Sequence, residues 1–314
     1  MNKNLKRDYY ESGEILFGMQ SPGPGWIKLD GTTANINHNI AKKLVTINWN
    51  TQTSNFTTQI RAVAFGNGTW VAVGAGGQLR TSTNNAVTWN TQTSNFGANL
   101  IFDVAFGNGI FVAGGDVGGG AIRTSTDAIN WNTQTSQFGT TGIISVGFGN
   151  GVWFAGANNG TLRTSTDAVN WNTQANLGIQ INTFAFGNGI YYSGGVSIGS
   201  DPLRISTDAI NWTTQTSQFG TSNAINGFEF ANGTWVAVGS GAILRTSTNN
   251  GVTWNTQTSQ FGTSGINAVA FGNGTWVAVG DNGQLRTSTL LPTPTITLPA
   301  MSGIPAGYTP WLKT

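Results

Sequence analysis

The strongest constraint on the fold is a repeat of about 41 residues that runs through most of the chain. Three markers recur six times each at spacings of 38 to 44 residues: a Trp, a Phe followed by an Asn-Gly pair, and an Arg in "LRTST" or a variant of it. The tryptophans are Trp49, Trp89, Trp131, Trp171, Trp212 and Trp254. The phenylalanines are Phe65, Phe106, Phe148, Phe186, Phe230 and Phe271, and the arginines are Arg80, Arg123, Arg163, Arg204, Arg245 and Arg286. A repeat of this length predicts a propeller or a solenoid.

Each unit contains four strand-like segments, which we call A to D. In the first unit they are Ile60–Phe65, Trp70–Gly74, Gln78–Thr81 and Val87–Thr93. An Asn-Gly pair follows strand A and favours a tight hairpin, because a type I′ turn requires two residues that tolerate positive φ. Four antiparallel strands in about 41 residues are typical of one propeller blade.

The two ends of the repeat complement each other. The sixth unit begins near Ile266 and stops at Thr289 without a strand D, whereas "LVTINWNTQTS" at Leu44–Ser54 reads as a strand D without a unit. We therefore predict an all-β fold: a six-bladed β-propeller of four-stranded antiparallel blades, with the last blade closed by an N-terminal strand. An open solenoid built from the same unit is the alternative.

We predict three parts of the chain: an N-terminal extension at 1–43, the propeller at 44–289 and a Pro-rich apolar C-terminal segment at 290–314.

Charge and composition exclude several classes of partner and cofactor. The propeller carries seven Arg against seven Asp and one Glu, which argues against nucleic acid as a partner. The chain has no Cys and no cluster of metal-ligating residues, so no metal and no cofactor are expected. We also expect no export signal and no membrane insertion.

A Ser…Trp element stands between strands C and D. It reads "STDAINW" at Ser125–Trp131 and returns with small changes at Ser165–Trp171 and Ser206–Trp212. Longer versions are "STNNAVTW" at Ser82–Trp89 and "STNNGVTW" at Ser247–Trp254. Ser, Asp and Asn cap turns with short side-chain bonds, and Trp fills the gap between sheets. These residues predict a structural turn rather than a catalytic element.

The longer version resembles the Asp-box (BNR) repeat of sialidases and related propellers, Ser-x-Asp-x-Gly-x-Thr-Trp, with Asn84 and Asn249 in the Asp place. The resemblance implies a turn between the third and fourth strands of a blade, away from the active face. The repeated arginines of "LRTST" are interpreted in the same way, as a packing and hydrogen-bond ladder.

The resemblance to sialidases also implies a catalytic set: three arginines, a Tyr–Glu pair and an Asp. Arg61 is the only propeller arginine outside the ladder, and Tyr191 and Tyr192 lie in an ordinary strand B. Glu229 is the only Glu of the propeller and stands where the other units have Ala or Gly, while Asp103 lies on another innermost strand. These two carboxylates are the candidate catalytic pair of a glycoside hydrolase. The alternative is that Glu229 lines a wet central channel.

The loops between strands B and C differ in length and chemistry from unit to unit. In a propeller these loops share one face with the D–A connections, opposite the Ser…Trp turns. Variable loops on a rigid scaffold carry binding specificity, and small polar side chains suit hydroxyl-rich ligands such as glycans. The alternative is plain solvated loops. The candidate ligand-binding residues are Asp116, Asn158, Asn159, Ser197, Asp201, Asp281 and Asn282.

The two ends of the chain lie outside the repeat. "GEILFGMQSPGPGWIKLDG" resembles the opening of phage tail-collar and tail-fibre modules, and its likeness rests on Gly13, Ile15, Pro24, Gly25, Trp26, Leu29, Asp30 and Gly31. The C-terminal segment is apolar and suits docking onto a partner. Closure of the last blade predicts that both ends emerge side by side. The candidate anchoring residues are Trp26, Leu29, Tyr308 and Trp311.

Together these features predict a phage virion structural protein of the tail or tail fibre. Its partners would be other virion proteins, through the two extensions, and a host surface glycan or receptor, through one propeller face. A sialidase-like or other glycoside hydrolase is the first alternative. A virion decoration or connector protein that binds no receptor is the second.

Overall fold

The computed structural model describes residues 15–18, 26–28, 49–116, 118, 120–196, 201–220, 223–289 and 309–313. The chain divides into two compact units. Residues 1–46 and 290–314 form the terminal unit, and residues 47–289 form the propeller unit. No helix in the described part of the chain is long and apolar enough to cross a membrane.

The terminal unit contains a three-stranded antiparallel sheet. Its strands are β1 (Ile15–Gly18), β2 (Trp26–Lys28) and β27 (Thr309–Lys313), in the order β1-β27-β2. The C-terminal strand therefore lies between two N-terminal strands, with Ile15 opposite Leu312 and Lys28 opposite Trp311. Backbone hydrogen bonds between strands join the two ends of the chain into one sheet.

The propeller unit consists of six four-stranded antiparallel sheets, blades 1 to 6. Blades 1 and 2 comprise β4 (Ile60–Gly66), β5 (Thr69–Gly74), β6 (Leu79–Ser82), β7 (Asn90–Gln92), β8 (Ile101–Gly107), β9 (Ile110–Gly115), β10 (Ala121–Ser125) and β11 (Asn132–Gln134). Blades 3 and 4 comprise β12 (Ile143–Gly149), β13 (Val152–Ala157), β14 (Leu162–Ser165), β15 (Asn172–Thr173), β16 (Gln180–Gly187), β17 (Ile190–Val196), β18 (Leu203–Ser206) and β19 (Thr213–Gln215). Blades 5 and 6 comprise β20 (Ile225–Ala231), β21 (Thr234–Gly239), β22 (Leu244–Ser247), β23 (Asn255–Gln257), β24 (Ile266–Gly272), β25 (Thr275–Gly280), β26 (Leu285–Thr289) and β3 (Asn50–Gln52).

Blade 6 is closed by the strand from the start of the propeller unit. Strand β3 pairs with β26, with Asn50 opposite Thr287 and Gln52 opposite Leu285. The innermost strands β4 and β24 of the first and last blades also contact each other, so the ring is continuous. These pairings confirm the predicted six-bladed propeller and its closure, and they exclude an open solenoid.

Strand B is buried along almost its whole length, because the neighbouring blades cover it on both sides. In β5 the side chains of Trp70 and Val71 are fully buried. Val71 packs in one cluster with Ile101 and Val104 of blade 2 and with Trp131 of the following turn. Burial of each such side chain stabilises the fold by about 1.5–3 kcal/mol. The core therefore lies between blades, and the ring is held by contacts that repeat from one blade to the next.

Strand D is shorter than the sequence predicts. The first unit predicts a strand from Val87 to Thr93, but β7 begins only at Asn90. Ala86 adopts a positive φ of 63°, and Val87 is 53% exposed. The Ser…Trp turn therefore extends up to Trp89, whose side chain packs between two blades and ends the turn.

Candidate functional site

The propeller has two chemically different faces. The face that we call the turn face carries the Asn-Gly hairpins and the Ser…Trp turns, and on it Asn188 Nδ2 donates a hydrogen bond of 3.0 Å to Asn250 Oδ1 of the next blade. The opposite face, the loop face, carries the B–C loops and the D–A connections. There the Ser94 hydroxyl donates to the Gly77 carbonyl oxygen at 2.8 Å. Antiparallel pairing within each blade produces this arrangement, as the repeat predicts.

The Ser…Trp turns use their polar groups internally. Asp127 Oδ1 accepts hydrogen bonds from the backbone N–H groups of Ile129 (2.9 Å) and Asn130 (2.8 Å), and from the Ser125 hydroxyl (3.0 Å). These bonds hold the pKa of the Asp127 carboxyl well below its ordinary value. The Trp131 indole N–H donates to the Ala128 carbonyl oxygen at 3.2 Å. The element is a capped turn with a buried tryptophan, on the face away from the variable loops.

The "LRTST" arginines form the expected ladder. In blade 2 the Arg123 guanidinium lies 4.6 Å from the centre of the Phe96 ring and donates to the Thr133 hydroxyl. The same stacking recurs for Arg80 on Phe56 (5.0 Å), Arg163 on Phe138 (5.2 Å), Arg245 on Phe219 (5.5 Å) and Arg286 on Phe261 (4.9 Å). Blade 4 differs because Leu177 replaces the phenylalanine, and Arg204 donates instead to the Asp201 carbonyl oxygen at 2.6 Å. In the other five blades, stacked cations of this kind fasten the D–A connection to the blade that follows it.

The six innermost strands surround a central channel with a cavity of about 250 Å³. Towards the turn face the channel is lined by the marker phenylalanines, which pack against the first aromatic residue of strand B. Phe65 lies 4.9 Å from Trp70 between ring centres, and Phe106 lies 4.7 Å from Phe111. The ring of phenylalanines at the turn-face end of the channel is thus nearly the same in every blade.

Asp103 and Glu229 both line this channel. For Glu229 this is the channel-lining position predicted as the alternative to a catalytic role. The Asp103 carboxylate accepts hydrogen bonds from the backbone N–H groups of Val104 and Val146, each at 2.8 Å. The Glu229 carboxylate accepts from the backbone N–H groups of Phe230, at 3.1 Å, and Phe271. Burial raises the pKa of each carboxyl to about 8, against these bonds. Both side chains keep some surface towards the channel interior, so water moderates this effect.

The two carboxyls tie neighbouring blades together. Val146 belongs to blade 3 and Phe271 to blade 6, so each carboxyl bridges its own innermost strand to the next one. Asp103 on blade 2 and Glu229 on blade 5 stand three blades apart in a ring of six, on opposite walls of the channel. A glycosidase pair instead flanks one scissile bond. Among the described residues no group of three His, Cys, Asp or Glu could hold a metal ion.

The channel mouth on the loop face is a site that the sequence reasoning missed. It is a cavity of about 260 Å³. Each innermost strand contributes the residue that follows its first isoleucine, and we call these six residues the mouth ring. They are Arg61, Phe102, Ile144, Asn182, Asn226 and Asn267. The signal was present in the sequence, because strand A varies from repeat to repeat at this position, which holds arginine, phenylalanine, isoleucine and three asparagines.

A chain of amides joins one half of the mouth ring. Gln180 Nε2 donates to Asn182 Oδ1 at 2.9 Å, and Asn182 Nδ2 donates to Asn226 Oδ1 at 3.2 Å. Asn226 Nδ2 donates to the Ile266 carbonyl oxygen at 3.0 Å. In blade 6, Asn267 Nδ2 donates to a carbonyl oxygen of blade 1 at 2.8 Å. The mouth is therefore polar along blades 4 to 6 and apolar at Phe102 and Ile144.

Three of the predicted ligand-binding residues hold loops in place. The Asp201 carboxylate accepts from the backbone N–H groups of Leu203 (3.1 Å) and Ser217 (2.9 Å). The Asp281 carboxylate accepts from the Gly265 N–H at 3.1 Å and from the Asn267 side chain at 3.2 Å. Asn159 Oδ1 accepts from the Thr161 N–H at 3.0 Å. These groups shape the loop face, and part of their bonding capacity is already used there.

Three other predicted residues are free on the loop face. Asp116, Asn158 and Asn282 are exposed, and their side chains make no hydrogen bond to the described residues. Ser197, Leu29 and Tyr308 lie outside the described residues. Trp26 and Trp311 lie in strands β2 and β27 of the terminal sheet.

No protein-family model and no curated protein matches this sequence. Among solved structures the chain is similar to YCF48 from Cyanidioschyzon merolae, with 15% identity and a TM-score of 0.53 over 77% of this chain and 98% of that one. It is also similar to YCF48 bound to D1 peptide, with 14% identity and a TM-score of 0.52 over 78% and 97% of the two chains. The WD40 β-propeller domain of Doa1 matches with 13% identity and a TM-score of 0.54 over 77% and 97%. At these identities the likeness extends to the fold alone, and the chain is a six-bladed β-propeller.

Proposed function

We propose that this chain is a structural, receptor-binding protein of a phage particle, with a loop face that binds a hydroxyl-rich glycan on the host surface. The observation that carries this proposal is that the repeated and the non-repeated polar residues make different contacts. The repeated polar residues are used inside the scaffold, as in the turns around Asp127 and the ladder around Arg123. The non-repeated Asp116, Asn158 and Asn282 are exposed on one face and free to bond a ligand. Sugar hydroxyls are well matched by such small amide and carboxylate groups.

The assignment to a phage rests on the two ends of the sequence. The head from Gly13 to Gly31 is similar to tail-collar and tail-fibre modules, and the C-terminal segment at 290–314 is Pro-rich and apolar, as a segment that docks onto a partner would be. The antiparallel pairing of β1, β27 and β2 supports attachment through the terminal unit, because both chain ends then belong to one sheet. In this proposal the terminal unit binds other virion proteins and the protein is located in the virion.

Binding of the full-length chain to a glycan array and to host cells tests the proposal. We expect binding to at least one host glycan, and a loss of about 10-fold or more in the double variant Asp116→Ala/Asn158→Ala, since each removes a hydrogen bond to the ligand. Asn90→Ala is the matched control, because Asn90 is equally exposed but lies on the outermost strand of blade 1. Absence of binding to every glycan and to host cells would contradict the receptor role and leave the attachment role standing.

A glycoside hydrolase is the second candidate, and one observation favours it. Asp103 and Glu229 line a channel that is open at its mouth, and burial raises the pKa of both to about 8, so a protonated carboxyl is present at neutral pH. A protonated carboxyl in a cavity is the general acid of this chemistry. Activity on fluorogenic glycosides that disappears in Glu229→Gln would establish a hydrolase. Lack of turnover by the wild-type chain across the substrate panel would remove it.

A further inference from the structure

Arg61 differs from every other arginine of the described propeller. The guanidinium N–H groups of the six ladder arginines donate to threonine hydroxyls or to backbone carbonyl oxygens, as Arg163 does to Thr173 at 2.8 Å. Among the described residues, the terminal Nη groups of Arg61 have no hydrogen-bond acceptor, whereas those of each ladder arginine have at least one. Its buried Nε also lacks an acceptor, a feature that it shares with five of the six ladder arginines. The Nη groups are therefore the part of Arg61 that a ligand with an acceptor would satisfy.

The charges around Arg61 leave room for an anion. Its guanidinium lies 5.8 Å from the centre of the Phe102 ring, which stacks with it but accepts no conventional hydrogen bond. Burial lowers the pKa of Arg61, and nearby Asp281 opposes this effect. The ordinary pKa of an arginine lies far above neutral, so Arg61 stays charged. Asp281 is the nearest carboxylate, and Gln59, Gly265 and Asn267 already donate hydrogen bonds to it.

The remaining charged groups of the channel are Asp103 and Glu229, deeper than the mouth ring. Because the pKa of each is about 8, both are largely protonated at neutral pH and repel an anion only weakly. The mouth therefore presents a cation that feels the charge of Asp281 but makes no hydrogen bond to it, since the bonds that Asp281 accepts come from Gln59, Gly265 and Asn267. A planar guanidinium with free N–H groups on two edges matches a carboxylate in a bidentate arrangement.

The other residues of the mouth ring indicate which chemical groups the rest of the ligand carries. Phe102 and Ile144 form an apolar wall beside Arg61, and Asn182, Asn226 and Asn267 form a polar wall across from it. The cavity of about 260 Å³ lies at the small end of ligand pockets. It suits one ring-sized group with an apolar face and several hydroxyls, rather than a folded partner.

We propose that Arg61 binds the carboxylate of an acidic sugar at the channel mouth, with the C–H face of the sugar ring against Phe102 and its hydroxyls towards the asparagines. This inference rests on the proposed glycan-binding function and names the sugar class. The exposed loop residues Asp116 and Asn158 then contact the remainder of the glycan. A single arginine matches the single charge of a carboxylate better than the double charge of a phosphate.

A titration of the full-length chain with methyl β-glucuronide and with neutral methyl β-glucoside tests the inference, by calorimetry or ligand-observed NMR. We expect the glucuronide to bind about 10-fold or more tightly than the glucoside, and Arg61→Gln to abolish that preference. Arg61→Lys should retain part of it, because the charge stays and the bidentate geometry is lost. Arg163→Gln is the matched control: it removes an equal charge from a ladder arginine and should leave glucuronide binding unchanged. Circular dichroism of each variant checks that the ring has folded.

Three results would overturn the inference. One is that the glucuronide does not bind, and another is that it binds Arg61→Gln as tightly as the wild type. The third is Arg61-dependent binding of a short peptide with a free C-terminal carboxylate, without binding of the glucuronide.

Failure of the proposed receptor function would give a different pattern of binding from failure of the mouth site. If Arg61→Gln retains host-glycan binding that Asp116→Ala/Asn158→Ala loses, the mouth assignment fails and the receptor role stands. If the glucuronide binds through Arg61 but no host glycan or cell does, the receptor role fails and the mouth site stands.

Discussion

The two faces of the propeller come from the same six repeats, yet they have diverged to very different extents. On the turn face, the Asn-Gly hairpins keep positive φ at Asn67, Asn108, Asn150, Asn188, Asn232 and Asn273, and the Ser…Trp turns keep one pattern of capping bonds. On the loop face, the described residues form a short 3₁₀ turn between strands B and C in blades 1, 5 and 6 alone. The loop of blade 4 instead uses the Asp201 carboxylate to hold the Ser217 backbone. The turns that close each blade recur, whereas the loop positions vary. Asp103 and Glu229 are exceptions in the channel, because each bridges two blades without recurring in the repeat.

The central channel shows the same contrast along its axis. Its end near the turn face is lined by phenylalanines of the repeat, whereas its mouth on the loop face combines Arg61, two apolar residues and three asparagines. Packing at the lower end requires the same ring shape in every blade, because each phenylalanine touches the next blade. At Gly66, for example, an added Cβ would lie 2.0 Å from the Phe106 ring. The mouth is free of this requirement, and we expect ligand specificity to reside there.

Among the variants that test this contrast, Trp131→Ala on the turn face is expected to change stability most. Trp131 is 4% exposed and lies in one cluster with Val71 and Phe111. Removing it should lower the free energy of unfolding by about 3–5 kcal/mol, because a large cavity opens between two blades. Urea unfolding measures the change. Ile129→Ala in the same turn is the control and should cost less than about 0.5 kcal/mol, since Ile129 is 53% exposed. A near-neutral Trp131→Ala would show that the turns do not hold the blades.

Gly251→Ala sharpens the contrast by testing where the turn face itself departs from the repeat. The other Ser…Trp turns carry alanine at this position with positive φ, as at Ala86. In blade 5 an added Cβ would lie 2.8 Å from the Tyr192 hydroxyl of blade 4. Blades 1, 2, 5 and 6 have Val where blade 4 has Tyr192, which accounts for the difference. We expect Gly251→Ala to lower the free energy of unfolding by about 2 kcal/mol.

The double variant Tyr192→Val/Gly251→Ala identifies the cause. If the hydroxyl is responsible, Gly251→Ala should cost less than about 1 kcal/mol in the Tyr192→Val background, measured by the same urea unfolding. An equal cost in both backgrounds would assign the effect to backbone strain at φ 67° instead.

The pH dependence of stability probes the channel carboxyls. The unfolded chain releases the protons of Asp103 and Glu229 near pH 4, whereas the folded chain holds them up to about pH 8. Between these values the folded state binds more protons, so the free energy of unfolding should fall as the pH rises. We expect a fall of several kcal/mol from pH 4 to 8, because each pH unit over which one carboxyl is protonated only in the folded state contributes about 1.4 kcal/mol, and channel water reduces the sum. Asp103→Asn/Glu229→Gln should remove most of this slope, and an unchanged slope would contradict the assignment.

The smallest expected effect is that of Asn158→Ala on the loop face. Asn158 is exposed and its side chain makes no hydrogen bond to the described residues, so the free energy of unfolding should change by less than about 0.5 kcal/mol. Thermal unfolding measures it. A loss of more than about 1 kcal/mol in the free energy of unfolding would contradict the proposed difference between the faces, since a loop-face residue would then stabilise the ring.

Most of the fold was predictable because its signals are local. An Asn-Gly pair specifies a hairpin, a Ser…Trp element specifies the next turn, and counting them yields the number of blades. The length of strand D was overestimated, because the sequence of Val87 and Thr88 suits a strand although the turn holds them outside it. The roles of Asp201 and Asp281 were not predictable, since their partners Ser217 and Asn267 lie on other segments.

The sequence by itself determined that this chain contains six four-stranded units, because each marker is set within a few residues. It also predicted closure of the ring by an N-terminal strand, which the pairing of Asn50–Gln52 with the last blade confirms. Only the tertiary structure decided which unlike residues meet. Glu229 accepts a hydrogen bond from a backbone N–H of the next blade and is not paired with a second catalytic group. Arg61 lines the channel mouth together with residues up to 206 positions away along the chain, such as Asn267. Contacts of this kind depend on closure around one axis, and no local preference of the chain encodes them.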